Sequence, residues 1–282
     1  SDEDYWDYCL FGWVAQYMGI DAYYDYFKGY YTDSSGTKVF ASKEKVGEFL
    51  KATGYGKEKG LELLETLTKK SNGYCHPKCD VMTFSEAQIT FLGFGYKGDM
   101  TKVAMMPNGD WLENEAQIWL AQKPQSIKMM KLPVISSIID NCKTINSDET
   151  LKSVIAYVDG NSQDKPEGVS DEDINRINEA RNTYHSLGLT AAVAIPASSR
   201  NQALAKDFLI YMCSDQAQQI YSQALNGLTM NYGYNPEGVS TIKMGTLVRS
   251  VIDCYGNSGN PIPYVDKSSN LVSYGGLYLM NN

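Results

Sequence analysis

Asn108-Gly109-Asp110-Trp111 puts an amide, a carboxylate and an indole ring within one turn. That set can bind a saccharide, because a sugar offers apolar C–H faces to a flat aromatic ring and a rim of hydroxyls to short polar side chains. On this reading Trp111 stacks on a sugar ring while Asn108 and Asp110 or Glu113 accept hydroxyl protons. The alternative is that Trp111 is core packed at a hairpin, and the sequence leaves both open. Tyr5, Trp6 and Trp13 are further cleft candidates, with the core face of a helix as their alternative. Asp110, Glu113 and Glu115 also supply carboxylates for glycoside hydrolysis, a chemistry whose required spacing is three-dimensional.

Other reactive patterns are sparse. Cys75 and Cys79 form a C-x3-C with His76 between them, which fits a zinc site, a small disulfide loop or unpaired thiols. No second Cys/His pair stands at finger-like spacing, and the only other histidine is His185. There is no G-x-S-x-G elbow, no P-loop and no H-E-x-x-H, so no catalytic residue and no metal or cofactor is expected. GFGYKG at 93–98 matches the dinucleotide motif by letter, but a helix-like FSEAQITFL precedes it and a strand-like KVAMM follows. That is the reverse of the strand–turn–helix order that brings pyrophosphate to a helix N-terminus, so a glycine-rich connection is predicted. DGNSQD at 159–164 lacks the glycine and glutamate of a calcium loop and reads as a solvated turn.

The elements that must hold these residues follow from periodicity. Residues 5–31 read as helical, with Trp6, Leu10, Trp13 and Tyr17 on one face. Ser42 caps KEKVGEFLK, ATGYGKEKG interrupts, and LELLETLTKK resumes the helix. FSEAQITFL is a helix, KVAMM a strand running into the Pro-Asn-Gly-Asp turn, and IKMMKLPVIS a buried strand. Ser147, Ser170 and Ser214 cap three later helices, and Asn226-Gly227 stops the third. TAAVAIP is a short strand, and NQALAKDFLIYMC a helix with Leu204, Phe208, Tyr211 and Met212 on one face. Short strands between longer helices indicate an α/β or α+β chain.

Bulk properties narrow the function classes. At 282 residues two lobes or one large domain are expected. A net charge of −8 without a Lys/Arg cluster excludes a nucleic-acid partner. No apolar run reaches the ~18 residues that span a bilayer. The 21 tyrosines suit a binding surface, with aromatic core packing as the other account. The opening SDEDYWDY has neither initiator Met nor signal peptide, so a processed or recombinant piece of something longer is expected.

SEAQITFLGF followed by KVAMMPNGDWLENEA resembles the extracellular solute-binding proteins of carbohydrate ABC transporters, in the cluster related to maltose-binding protein. Lys102, Ala104, Met105, Gly109 and Trp111 stand at that pattern's positions. In TAAVAIPASSRNQALAKDFLIYMCSDQAQQIYSQALNG so do Ile195, Pro196, Ser199, Asn201, Ala205, Phe208, Leu209, Ser214 and Gln218. The likeness runs to about residue 235. It departs where the family's N-terminal first-lobe segment is missing, where the usual glycine pair is reduced to Leu187-Gly188-Leu189, and where GYKGDM is inserted.

The resemblance implies a periplasmic-binding-protein-like type II α/β fold, two hinged lobes lacking the N-terminal segment of the first. Residues 1–125 would form the second, C-terminal-type lobe, 126–230 the hinge return and the remainder of the first lobe, and 231–282 a segment assigned to neither. It implies a non-enzymatic protein that delivers a sugar or oligosaccharide to ABC permease subunits. Its lipid anchor would lie on the missing N-terminus, outside a bacterial cell, Gram-positive rather than periplasmic. The rival readings are a carbohydrate-active enzyme or accessory domain, and a surface scaffold module that has lost its ligand.

Overall fold

Gly19 breaks the aromatic opening stretch in two: its φ of 90° redirects the backbone between α1 (Glu3–Met18) and α2 (Ile20–Phe27). The computed structural model describes residues 3–186, 193–228, 235–256 and 259–263, with side chains from Tyr8 to His185 in the first stretch and to Ile262 in the last. After α2 a hairpin forms from β1 (Tyr30–Thr32) and β2 (Lys38–Phe40), paired antiparallel with Tyr30 opposite Phe40. Its turn is held by Asp33 Oδ1, which accepts from the N–H groups of Ser35 and Thr37. The order continues through α3 (Val46–Ala52), α4 (Gly56–Thr68), α5 (Phe84–Phe91), α6 (Leu112–Glu115) and α7 (Gln117–Gln122). Then come α8 (Asp148–Val158), α9 (Asp171–Asn182), β3 (Thr183–Ser186), α10 (Gln202–Met212), α11 (Asp215–Ala224), α12 (Thr246–Tyr255) and β4 (Asn260–Pro263). β3 and β4 pair in parallel, Thr183 opposite Asn260.

Local signals place four of the helix starts. Ser147, Ser170 and Ser214 accept from the N–H groups of Thr150, Asp173 and Ala217, capping α8, α9 and α11. Thr83 and Glu86 make a reciprocal capping box on α5. Ser42 differs from its predicted role: it precedes a 3-10 turn at Lys43–Lys45, and its hydroxyl donates to Glu44 instead of capping.

The chain is helix-rich, and among the described residues its sheets are two two-stranded pairs. The predicted strands are corrected accordingly. Neither 102–106 nor the IKMMKLPVIS run enters a ladder; Met106, Ile127 and Met129 instead pack with Leu92, Leu112, Ala116 and Leu247. An apolar run needs a neighbouring strand to become one; here Met105 and Met130 stay 67% and 51% exposed while the residues between them and the core pack on helices. Residues 187–192, most of the predicted TAAVAIP strand with the Leu187-Gly188-Leu189 site, lie outside the described residues, and 193–196 are irregular.

The chain divides into two compact units of interleaved segments. The first combines 78–130 with 189–257; the second combines 2–77, 131–188 and the segment holding β4. This departs from the expected boundaries at 125 and 230, since residues 1–125 fall into both units.

In the second unit α1 packs closely on α4, which explains two glycines. The predicted interruption ATGYGKEKG shrinks to residues 53–55, and Gly56 and Gly60 lie inside α4. A Cβ on Gly60 would stand 2.9 Å from Leu10 Cδ1 and 3.0 Å from Val14 Cγ2, so a larger residue would push the helices apart. Behind α1, a core forms from Trp13, Tyr17, Ile138, Leu151, Val154, Ile177 and their neighbours. In the first unit α10 is unusual: Leu204, Phe208 and Tyr211, its predicted core face, are 67%, 57% and 44% exposed.

Two buried ionisable groups in the second unit couple stability to acid. His185 on β3 stacks on Tyr8 at 5.2 Å and on Phe11 at 6.3 Å, and burial lowers its pKa from 6.5 to about 4. Burial works to raise Asp173, but hydrogen bonds from Thr144 Oγ1, from the Lys143 and Thr144 N–H groups and from Ser170 outweigh it and hold this carboxyl below its usual range. Both shifts have the same sign in consequence, because the unfolded chain binds the proton more readily in each case. Stability is therefore full above the ordinary histidine value. It is expected to fall by about 3 kcal/mol as pH drops to His185's folded value, then further as Asp173 is protonated. Urea midpoints against pH check this: His185→Phe should flatten the limb between pH 6.5 and about 4, and an unchanged limb would contradict it.

Candidate functional site

The Asn108–Trp111 turn lies in the first unit and leads directly into α6. Lys123 Nζ donates to Gly93 O at 3.0 Å and Gln125 Nε2 to Leu92 O at 2.6 Å, satisfying carbonyls after α5. The GFGYKG stretch closes as a tight turn in which the Tyr96 and Asp99 backbones bond each other across Lys97 and Gly98. That is the glycine-rich connection predicted from its inverted context. Gln88 Nε2 reaches Glu115 Oε2 at 2.6 Å and ties α5 to α6.

Trp111 occupies the N-cap position of α6 and is half-buried. Its six-membered ring folds back over Gly109, where any Cβ would overlap it. Gly109 is thus required by ring packing, and one side of the indole is committed to the turn. Asn108 Oδ1 accepts from Gly109 N–H at 2.8 Å. The half-buried Asp110 carboxyl is pushed above its usual range by burial, against the lowering effect of the N–H groups of Asp110 and Trp111.

Glu113 is corrected from a sugar contact to a helix cap. Its carboxylate accepts from Thr246 N–H, Thr246 Oγ1 and Leu247 N–H, each at 3.3 Å. The residue at the N-cap of α12 is Gly245, which has no side chain, so Glu113 supplies the missing acceptor from a remote helix. A Cβ on Gly245 would collide with that carboxylate. With Glu113 on α12 and Glu115 on Gln88, two of the three carboxylates weighed for hydrolysis are engaged structurally.

Trp13 is also corrected. At 3% exposure it belongs to the second unit's core, its indole N–H donating to Pro133 O at 3.3 Å, and it offers no ring face to a ligand. Tyr5 and Trp6 lie on α1, but their side chains fall outside the described residues. The structure therefore gathers Asn108, Asp110 and Trp111.

Sequence reasoning missed the amide bridge behind the turn. Asn226 Nδ2 donates to Asn114 Oδ1 at 2.7 Å, Asn114 Nδ2 to Leu225 O at 3.2 Å, and Gly245 N–H to Asn226 O at 2.8 Å. Asn226 adopts a left-handed φ of 54° to do so. The visible signal was Asn226-Gly227, read only as a helix stop.

The cysteines offer no other centre. None of the six is in a disulfide, and the Cys75 thiol donates to Thr68 O at 3.2 Å. Burial pushes Cys9 up to about 12, and burial with the nearby Asp173 charge pushes Cys142 up to about 11, so neither supplies a thiolate near neutral pH. Among the described residues no group of three or more His, Cys, Asp or Glu is placed to hold a metal ion, and no helix is long and apolar enough to cross a membrane. A wide-open concavity of about 260 Å³ on the second unit is lined by Glu62, Glu65, Thr66, Lys69 and Asn72 and includes no predicted site residue. Comparison with protein-family models, with curated proteins and with solved structures gives no match to this chain.

Proposed function

We propose that this chain is the non-enzymatic substrate-binding component of an ABC importer. It binds a sugar or oligosaccharide and delivers it to permease subunits, from a lipid-anchored position outside a bacterial cell. The observation that carries the reading is the Asn108–Trp111 turn, where a partly exposed indole, an amide and a desolvated carboxylate meet on one short segment. A two-lobe, hinged architecture belongs to the proposal. Its support is the interleaved make-up of the two compact units, in which the chain passes repeatedly from one to the other.

A thermal-shift panel of mono- and oligosaccharides tests it. At a ligand concentration a hundredfold above Kd, a binder stabilises the folded state by about 2.7 kcal/mol. At least one saccharide is expected to raise the melting temperature accordingly, without being cleaved. A panel in which no saccharide stabilises the protein would overturn the reading.

A further inference from the structure

α10 carries an apolar row that the described residues leave uncovered. Leu204, Phe208 and Tyr211 recur at i, i+4 and i+7, which aligns them along one face of the helix, and they are 67%, 57% and 44% exposed. Ala205, Leu209 and Met212 are half-buried and form its inner flank, while Ile210 is exposed on another side. No residue of this 11-residue helix is fully buried. A helix that short is marginal in water without a packed face, so covering the row would stabilise it. At roughly 200 Å² for a fully exposed large side chain, the three residues offer about 300 Å², a patch of the size that on monomers is often functional. The charges beyond the two ends of the row say what fits it. Arg200 stands four residues before Leu204, and Asp215 four residues after Tyr211. Both are exposed, and neither side chain makes a hydrogen bond or an ion pair among the described residues. A second copy laid antiparallel, about a two-fold axis through the middle of the row, brings Leu204 opposite the copy's Tyr211 and the two Phe208 rings beside the axis. It also brings Arg200 opposite the copy's Asp215, once at each end. A parallel pairing would set like charges together at both ends, so the charges select the antiparallel one.

We propose that α10 is the contact face of a homodimer, packing antiparallel on the α10 of a second copy through Leu204, Phe208 and Tyr211, with Arg200 and Asp215 pairing at the two ends. This contact is independent of the sugar-binding role proposed above. The row falls well short of the ~800 Å² per partner of a standard stable interface, so the dimer is a reversible one.

Sedimentation velocity at low ionic strength, from micromolar to sub-millimolar protein, tests it. The wild type is expected to pass from monomer to dimer across that range. Phe208→Glu enters the interface twice and should weaken dimerisation at least about thirtyfold. The melting temperature of the dilute protein should not fall, because the ring is more than half exposed in the monomer. Arg200→Asp and Asp215→Arg should each weaken dimerisation about threefold to tenfold by setting like charges together. The two together should restore it to within about twofold, a rescue that a purely structural role of either residue would not give. A wild type that stays monomeric throughout would overturn the inference and leave the row to a partner of another kind. A dimer indifferent to Phe208→Glu would also overturn it, as would a double exchange no better than either single one.

Discussion

Asp159→Ala is expected to cost the protein about 3–5 kcal/mol of unfolding free energy, because it strips the counter-charge from two largely buried cations. Arg181 meets this carboxylate in a forked pair, Nε to Oδ1 at 3.0 Å and Nη2 to Oδ2 at 2.9 Å. Lys131 Nζ stands 3.7 Å from Oδ1 on the other side, and all three side chains are 15–18% exposed. The cations are also tied to the fold: Arg181 Nη1 donates to Leu132 O at 3.2 Å and Lys131 Nζ to Asn182 Oδ1 at 2.8 Å. They cannot swing into water without breaking those bonds, so the alanine variant keeps two like charges close together and desolvated. Urea unfolding measures the loss. Removing Arg181 as well, as Asp159→Ala with Arg181→Met, should recover part of it, since the penalty lies in the uncompensated charge. A loss below about 1 kcal/mol, the worth of an exposed pair, would contradict this account.

The second large effect concerns a neutral group. Gln16 is fully buried on α1 and joins three segments: its Nε2 donates to Ala180 O on α9 at 3.2 Å, and its Oε1 accepts from Ile135 N–H at 3.1 Å. Gln16→Leu nearly conserves volume but leaves a buried N–H and a buried C=O without partners. At about 1–3 kcal/mol for each orphaned group, the expected loss is about 2–6 kcal/mol. Hydrogen exchange separates this from a packing defect. The Ile135 amide should lose protection ahead of its neighbours in Gln16→Leu and keep it in the wild type. Unchanged protection at Ile135 would show that the bond is not what holds this segment.

Local features were legible in the sequence, and distant ones were not. Ser147, Ser170 and Ser214 announce helix starts because a cap bonds an N–H three residues on, inside the window a reader sees. Gly56 and Gly60 looked like breakers because the side chains that leave no room for theirs, Met18 at the first and Leu10 and Val14 at the second, lie in another helix. Trp13 and Trp111 were both candidate ring platforms in the sequence; the packing of Ile138, Val154 and Ile177 around the first put it in the core. KVAMM carries strand propensity, yet propensity supplies no partner strand, and the run stays irregular with only Met106 reaching the helix-built core. Glu113 could not be read as a cap for α12, since the glycine it serves is more than a hundred residues away. Of the candidate site, the Asn108, Asp110 and Trp111 cluster was legible because one turn holds all three.

Under the proposed function Trp111 serves a ligand as well as the turn. The most direct test titrates the tightest saccharide of the panel into wild type and Trp111→Ala, with a urea unfolding curve for each. The account predicts at least about a thirtyfold loss of affinity, roughly 2 kcal/mol as for a buried aromatic anchor, in a variant that remains folded. An unchanged affinity beside a lowered unfolding midpoint would contradict it and make Trp111 a packing residue of its turn.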